Sequence, residues 1–436
     1  MSEHRDTLKA KLLMQARQRT RQAPATTNAE PAAGAKVPER FTRFDQQPGY
    51  QQITMMRQGA GQLGVQDPFF RVHEGCASAT TTIGGQSYIN YASYNYLGFS
   101  GDSRLNQAAR DAVERYGTSV SASRMVSGER PVHQQLERAI ADSYDVDDAV
   151  VFVSGHATNI STLGFLMGPN DLILHDEYSH NSLLVGAQLS GAKRISFAHN
   201  DSDALDALLT RHRHHFERVL VVIEGLYSMD GDVPDLPRFI DIKRRHQAWL
   251  MVDEAHSFGV LGERGLGIRE YFDVSADDVD IWMGTLSKSL AGCGGYIAGC
   301  QPLVETLRYL APGFLYSVGI PAQVAAPSLT ALQLMQQEPE RLQRLHAISQ
   351  YFLEQARGMG LDTGHSIGAA VVPVIVGSSP LAAQLSHQLF EHGINVQPIL
   401  HPAVPEKSAR LRFFLSSEHS KAQIDTTLQA LGSFLT

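Results

Sequence analysis

Lys288 ends the run Thr285-Leu286-Ser287-Lys288, which follows the apolar stretch Asp280–Gly284 and leads into the small-residue loop Ser289–Gly295. A lysine at such a strand end can form a Schiff base if desolvation or neighbouring positive charge lowers its pKa. Taken alone, a surface lysine in a glycine loop is the commoner case. Thr285 and Ser287 tilt the balance, because hydroxyls spaced to reach a phosphate beside such a lysine suit a cofactor with both an aldehyde and a phosphate. The nucleotide-binding pattern GxxxxGK[ST] is absent, so a nucleotide is the weaker phosphate reading.

Other chemistry-bearing residues also follow apolar runs. Asp253 ends WLMVD, where a buried carboxylate can keep a pyridine nitrogen protonated and make the ring an electron sink; the alternative is a helix cap. His256, three residues on, is placed to hydrogen-bond a phenolic oxygen of the same ring. DxxH also suits a metal, but no third and fourth ligand stand at convincing spacing. Gly155-His156-Ala157 opens a helix after AVVFV, and the backbone N–H groups of a helix start bind phosphate. His180, after LILH, can stack on an aromatic cofactor or serve as a structural hydrogen-bonder. Ser228 lies in the loop after VLVVIE. Arg412 can bind a substrate carboxylate bidentately, with Arg410 its alternative by composition and a salt bridge the plain reading of both. Arg211-His212-Arg213-His214-His215 reads as a solvated connection, since helical spacing does not gather its histidines.

The elements that must position these groups are short apolar runs: Ala149–Val153, Leu172–His175, Arg194–Phe197, Val219–Glu224, Trp249–Asp253, Asp280–Gly284 and Gly295–Gly299. Several are almost continuously apolar, as strands covered on both faces must be. Helical spacing recurs between them, as in Asp203–Leu209 and Leu236–His246, which implies a mainly parallel α/β sheet. Ligands of such sheets bind at the C-terminal strand ends, where the polar residues fall. The last two runs are close enough for a hairpin, so one strand is expected antiparallel. A long helix is expected from about Pro321 to Met359, then strands at Val371–Ile375 and Leu411–Leu415 in a smaller α+β domain.

The 436 residues favour more than one domain, and 43% hydrophobic with 19% charged residues is ordinary for a globular protein. A formal net charge of -8 argues against a broad nucleic-acid or anionic-membrane surface. Three cysteines without CxxC spacing fit a reducing cytoplasm, and no apolar run approaches the roughly 20 residues of a membrane span. Residues 1–22 carry a basic pattern that can form a helix, and 23–38 read as an Ala/Pro/Thr-rich linker. A mobile arm is the plain expectation, and docking to a carrier protein the sharper one. The expected divisions are an arm (1–45), an N-terminal segment (46–95), a large cofactor domain (96–320) and a small domain (321–436).

Eight segments in order resemble the α-oxoamine synthases, fold-type I pyridoxal-phosphate (PLP) enzymes: YNYLG (94–98), ASRMVSG (122–128), SGHATN (154–159), YSHNS (178–182), EGLYSMDGD (224–232), VDEAHSFGVLGERG (252–265), TLSKS (285–289) and RLRFFLSSEH (410–419). The resemblance runs from about Asp67 to the C-terminus. It implies a large domain with a seven-stranded, mainly parallel sheet and a smaller C-terminal domain. It further implies that Lys288 forms the Schiff base and moves the α-proton, that Asp253 pairs with the pyridine nitrogen and His256 with the phenolic oxygen, and that His180 stacks on the ring. Gly155, His156, Thr285 and Ser287 fall at the phosphate, with Ser228 among the cofactor contacts. Ser317 aligns with a hydroxyl reaching the phosphate from the other subunit of a homodimer, and Asn95 and Arg412 face the substrate. Two departures stand out: His156 replaces the usual aromatic, and Gly319 replaces a common serine. The implied reaction condenses a small amino acid (alanine, serine or glycine) with an acyl thioester of coenzyme A or a carrier protein, releasing carbon dioxide and an α-amino ketone. An aminotransferase or lyase on the same fold, or a silent subunit of a heterodimer, are the alternatives.

Overall fold

The apolar runs of the middle of the chain assemble into one seven-stranded sheet. The structure, a computed structural model, describes residues 37–62, 64 and 67–435. The helix expected within 1–22, and most of the linker after it, lie outside the described residues. The chain divides into two compact units, 1–64 and 65–436. In the first, 3₁₀ turns at Glu39–Phe41 and Phe44–Gln46 precede a helix, Pro48–Gln62. Pro48 stands at its start, where a missing N–H costs no helical hydrogen bond.

The second unit begins with an antiparallel hairpin, β1 (Thr80–Ile83) and β2 (Gln86–Asn90). The large sheet comprises β3 (Asp148–Phe152), β4 (Leu172–Asp176), β5 (Lys193–Phe197), β6 (Val219–Glu224), β7 (Trp249–Asp253), β8 (Ile281–Thr285) and β9 (Gly295–Gly299). Their spatial order is β3-β9-β8-β7-β6-β4-β5. Strand β9 runs antiparallel to both β3 and β8, and the other neighbours pair in parallel. The expected hairpin is therefore present, and its second strand inserts between β8 and β3.

Alternating residues of these strands feed two cores. Val150, Phe152, Ile173, Val222, Met251 and Met283 pack in one cluster, while Val151, Leu174, Val221, Val252 and Trp282 pack in the other. All six residues of β6 are buried, which explains the apolar run Val219–Ile223 ahead of Glu224. The loops that follow the parallel strands consequently gather along one edge of the sheet.

Beyond Pro321 the single helix expected to reach Met359 is two, Ala322–Gln337 and Pro339–Gly358. Glu338 between them has φ -119° and ψ 64°, away from helical values, because the ring of Pro339 disfavours the α conformation in the residue before it. A second sheet contains β10 (Val371–Ile375), β12 (Gln397–Ile399) and β13 (Arg410–Phe414), with β13 central and antiparallel to both neighbours. The last strand begins one residue earlier than expected. Strand β11 (Ile394–Asn395) pairs in parallel with β2, so the early hairpin and the late chain share a third sheet. Among the described residues, no helix is long and apolar enough to cross a membrane.

Candidate active site

The parallel strands deliver their last residues to a cleft of about 300 Å³, lined among others by Gly155, His156, His180, Ser228, Asp253, His256, Thr285, Lys288 and Arg412. A second cleft of about 400 Å³ shares Tyr94 and Lys288 with it and contains Asn95 and Ser287. Lys288 therefore stands where two spaces meet. Its Nζ lies 5.6 Å from the centre of the Tyr94 ring. Burial pulls this amine down to about 8; Asp253 and Glu224 oppose that fall and Arg412 adds to it.

Asp253 is buried at the end of β7, opposite Glu224 at the end of β6. Its Oδ1 accepts from Ala255 N at 2.9 Å and its Oδ2 from Asn159 Nδ2 at 2.9 Å. Burial raises Glu224 to about 8, and the charge of Asp253 reinforces the rise. Glu224 Oε1 accepts from the backbone N–H of His180 at 2.6 Å. Glu224 therefore keeps its proton near neutral pH, because burial and the neighbouring carboxylate both disfavour its charge.

His256 is buried with Nδ1 2.8 Å from the hydroxyl of Tyr96. Burial holds this imidazole well below its usual range and the Tyr96 phenol well above its own, so the ring is neutral and the phenol retains its proton. In the tautomer where the hydroxyl donates to Nδ1, the ring keeps Nε2–H as its remaining donor. His180 caps the helix Asn181–Leu189, its side chain accepting from Ser182 N. Burial lowers its pKa as well, against the pull of Asp253.

Opposite these groups the helix Gly155–Leu166 begins, with Ser154 as its cap. A Cβ on Gly155 would lie 2.8 Å from Thr285 Oγ1, so only glycine lets the helix start approach the end of β8 this closely. Thr285 Oγ1 donates to Gly294 O at 2.9 Å and accepts from Ser287 N at 3.2 Å. His156 is exposed, with Nε2 3.5 Å from Asn181 Oδ1.

The two arginines of β13 part company. Arg410 is fully buried and holds Asp230 Oδ1 at 2.7 Å and Met229 O at 2.9 Å. Arg412 donates to Ser228 O at 3.1 Å, keeps a buried Nε without a partner, and pairs with no carboxylate among the described residues. Burial lowers its pKa. The salt-bridge reading fits Arg410; Arg412 is left as a cation facing the cleft.

Not every expected residue converges. The Asn95 carboxamide is engaged by backbone, donating to Ala77 O at 2.8 Å and accepting from Ser100 N at 3.1 Å. Ser317 does not line either cleft within the chain; its hydroxyl donates to Gly313 O at 2.6 Å. At Gly319 a Cβ would come within 2.8 Å of Arg124 Cγ, so the departure from serine accompanies close packing on a buried arginine. Sequence reasoning gave no role to Tyr96, Asn159 and Ser182, and marked Glu224 only as a carboxylate closing the run VLVVIE. Asn159 falls four residues after Gly155, one helical turn on, which a reading of the helix start alone does not reach.

This set fits a phosphorylated pyridine aldehyde. A desolvated amine, a buried carboxylate, two neutral imidazoles and a glycine-opened cradle with the Thr285 hydroxyl share one space, Ser287 lining the adjoining cleft, and Gly155 keeps that cradle clear. Residues 86–431 match the model of the family described as aminotransferase class I and II. The 8-amino-7-oxononanoate synthase of Symbiobacterium thermophilum is 40% identical over 348 residues, which are 80% of this chain and 88% of that protein. A serine palmitoyltransferase of Sphingomonas wittichii superposes with a TM-score of 0.85 at 30% identity, over 89% of this chain and 97% of that one. A serine palmitoyltransferase structure with its PLP internal aldimine gives the same TM-score, 0.85, at 30% identity, over 88% and 97% of the two chains.

Proposed function

Because the chain belongs to the aminotransferase class I and II family, on its α-oxoamine synthase branch, we propose that it condenses alanine, serine or glycine with an acyl thioester. It is a PLP-dependent acyltransferase. In the proposed reaction the amino acid loses its α-proton and its carboxyl group as carbon dioxide. Its Cα gains the acyl carbon and a proton, while the acyl C–S bond breaks to a free thiol. The product is an α-amino ketone.

When bound, PLP supplies an aldehyde for the amine and a ring that takes up the electron pair of the Cα bond being broken. Lys288 Nζ, with its pKa lowered to about 8, is uncharged often enough near neutral pH to take the α-proton and return it. Asp253 holds a proton at the pyridine nitrogen, and His256 offers its Nε2–H to the phenolic oxygen. His180 covers the ring. The helix start at Gly155-His156, with Thr285, Ser287 and Ser228, holds the phosphate side. Arg412 would bind the amino-acid carboxylate and so select which Cα bond is broken, while Asn95 lines the adjoining cleft. The observation that carries this reading is the shared cleft of Lys288, Asp253 and a carboxylate-free Arg412.

The acyl donor is read as medium or long. Met125 and Val126 of ASRMVSG are exposed apolar side chains suited to a hydrocarbon chain. Either coenzyme A or a carrier protein supplies the thiol. Ser317 reaches the phosphate from a second copy of the chain, which makes the working enzyme a homodimer, and the cytoplasm is the proposed compartment. Mixing holoenzyme with each small amino acid, then with acyl-CoA and acyl-carrier donors, tests this. An absorbance change with the amino acid and carbon dioxide release that requires the thioester support it. Keto-acid formation from the amino acid alone overturns it in favour of transamination.

A further inference from the structure

Two side chains that the proposed chemistry does not use join Asp253 to His180. Asn159 lies on the helix Gly155–Leu166 and Ser182 on the helix capped by His180. Each is about 1% exposed, so their polar atoms answer to one another and not to water. Asn159 Nδ2 donates to Asp253 Oδ2 and to Ser182 Oγ, both at 2.9 Å. An ionised carboxylate only accepts, so the nitrogen of this amide must face Asp253. That orientation leaves Asn159 Oδ1 buried without a partner. An unpaired buried oxygen is costly, and a hydrocarbon side chain would fill the space without it.

The direction of the remaining bonds follows. Ser182 Oγ, already accepting from Asn159, lies 2.7 Å from His180 Nδ1. The backbone N–H of Ser182, which can only donate, points at the same nitrogen at 3.3 Å. Two donors converge on Nδ1, so this nitrogen is bare and the ring proton sits on Nε2.

We propose that Asn159 and Ser182 are positioning residues, a fixed relay from the Asp253 carboxylate that holds His180 as its Nε2–H tautomer with the donor free toward the cleft. The inference rests on the proposed function only where it gives His180 a bound ring and substrate to act on. The tautomer itself belongs to the folded chain, whatever reaction follows.

Full-length protein carrying ¹⁵N-histidine, measured with and without PLP, tests the relay. The His180 signals are those lost in His180→Asn. Wild type is expected to show a bare Nδ1 and a protonated Nε2. Asn159→Asp preserves the shape but turns the donor facing Ser182 into an acceptor. With one proton shared between residue 159 and Asp253, the Ser182 hydroxyl then donates to residue 159, Nδ1 keeps only the longer bond from Ser182 N, and the His180 tautomers are expected to mix with more Nδ1–H than in wild type. Ser182→Ala is expected to mix the tautomers and Ser182→Thr to restore the wild-type state, so the test survives if Asn159→Asp does not fold. Activity is expected to fall by about 10- to 100-fold in the first two variants and to recover in Ser182→Thr, as when a partner orienting a functional imidazole is lost and regained. A wild-type His180 protonated on Nδ1, or an Asn159→Asp variant with unchanged signals, overturns the relay. Correct signals in a protein whose absorbance no amino acid perturbs would instead refute the proposed reaction and leave the relay standing.

Discussion

Lys288 and Glu224 occupy one low-dielectric space, and burial moves both toward their neutral forms. For the apo-protein, the rate of colour development on adding PLP is expected to rise with pH through about 8 and then level, following the free amine. Arg412→Ala removes a repelling cation and should raise that midpoint, whereas Asp253→Asn removes an attracting anion and should lower it; stopped-flow absorbance across a pH series reads both. Glu224 is held near 8 when folded against about 4.5 when unfolded. A raised carboxyl leaves stability whole below 4.5 and erodes it as pH rises toward 8. Glu224→Gln cannot ionise, so its melting temperature should show less of that decline and exceed the parent's above pH 8. The sequence marked both Lys288 and Glu224 as residues closing apolar runs, but gave a role only to the first. Lysine after an apolar run with two hydroxyls is a local pattern, while Glu224 acquires its role from Asp253 on the neighbouring strand.

The elements were legible to the degree that both their faces are buried. Strands β3, β4 and β6 to β9 read as apolar runs because both faces of the sheet are covered there, whereas β5, at the sheet edge and mostly exposed, is the least apolar of the seven. By contrast β1, β2, β11 and β12 are short and partly polar and went unread, their pairing being set by distant segments. The helix start at Gly155 gives the first test at this scale. Gly155→Ala forces a methyl group against Thr285, and PLP affinity should fall at least about tenfold, or about 1.4 kcal/mol, in an equilibrium titration with the far-ultraviolet dichroism unchanged. The loop Leu226–Asp232 gives the second. Arg410 grips Asp230, His199 bridges Asp176 and Asp232 at 2.9 Å each, and Gly231 sits at φ 66° where a Cβ would strike Val371 O. Burial alone would lower the His199 pKa, but the bonds and charges of the two aspartates outweigh it and raise it to about 10. Stability from this cation is whole below the unfolded value of 6.5 and is lost as pH climbs through 10. Asp230→Asn leaves Arg410 buried and uncompensated, and a loss of about 3 kcal/mol is expected in urea denaturation.

At the scale of the molecule, the site draws on residues from Tyr94 to Arg412, and a partner copy completes it in the proposed dimer. Tyr316 and Val318, which flank Ser317, are 82% and 51% exposed in the single chain, large apolar surface of the kind that subunit contacts cover. Mixing inactive Lys288→Ala subunits with Ser317→Asp subunits should regenerate one intact site per hybrid. After subunit exchange, steady-state assays should then recover roughly a quarter of wild-type activity, the statistical share for a two-fold dimer. Zero recovery with hybrids demonstrated by mass spectrometry would place Ser317 outside the partner's site.

The amino-acid sequence by itself determined the sheet, the order of its strands along the chain, and the strand ends where Asp253, His256 and Lys288 stand, because apolar runs and the residues closing them are local features. Tertiary structure alone decided that Arg410 is consumed by Asp230 while Arg412 stays free, that Glu224 stands beside Asp253, and that Asn159 reaches Asp253 and Ser182. Those outcomes depend on which strands become neighbours and which side chains lose water together. Pairing and desolvation act between segments far apart in the chain, and no local pattern of residue types encodes them.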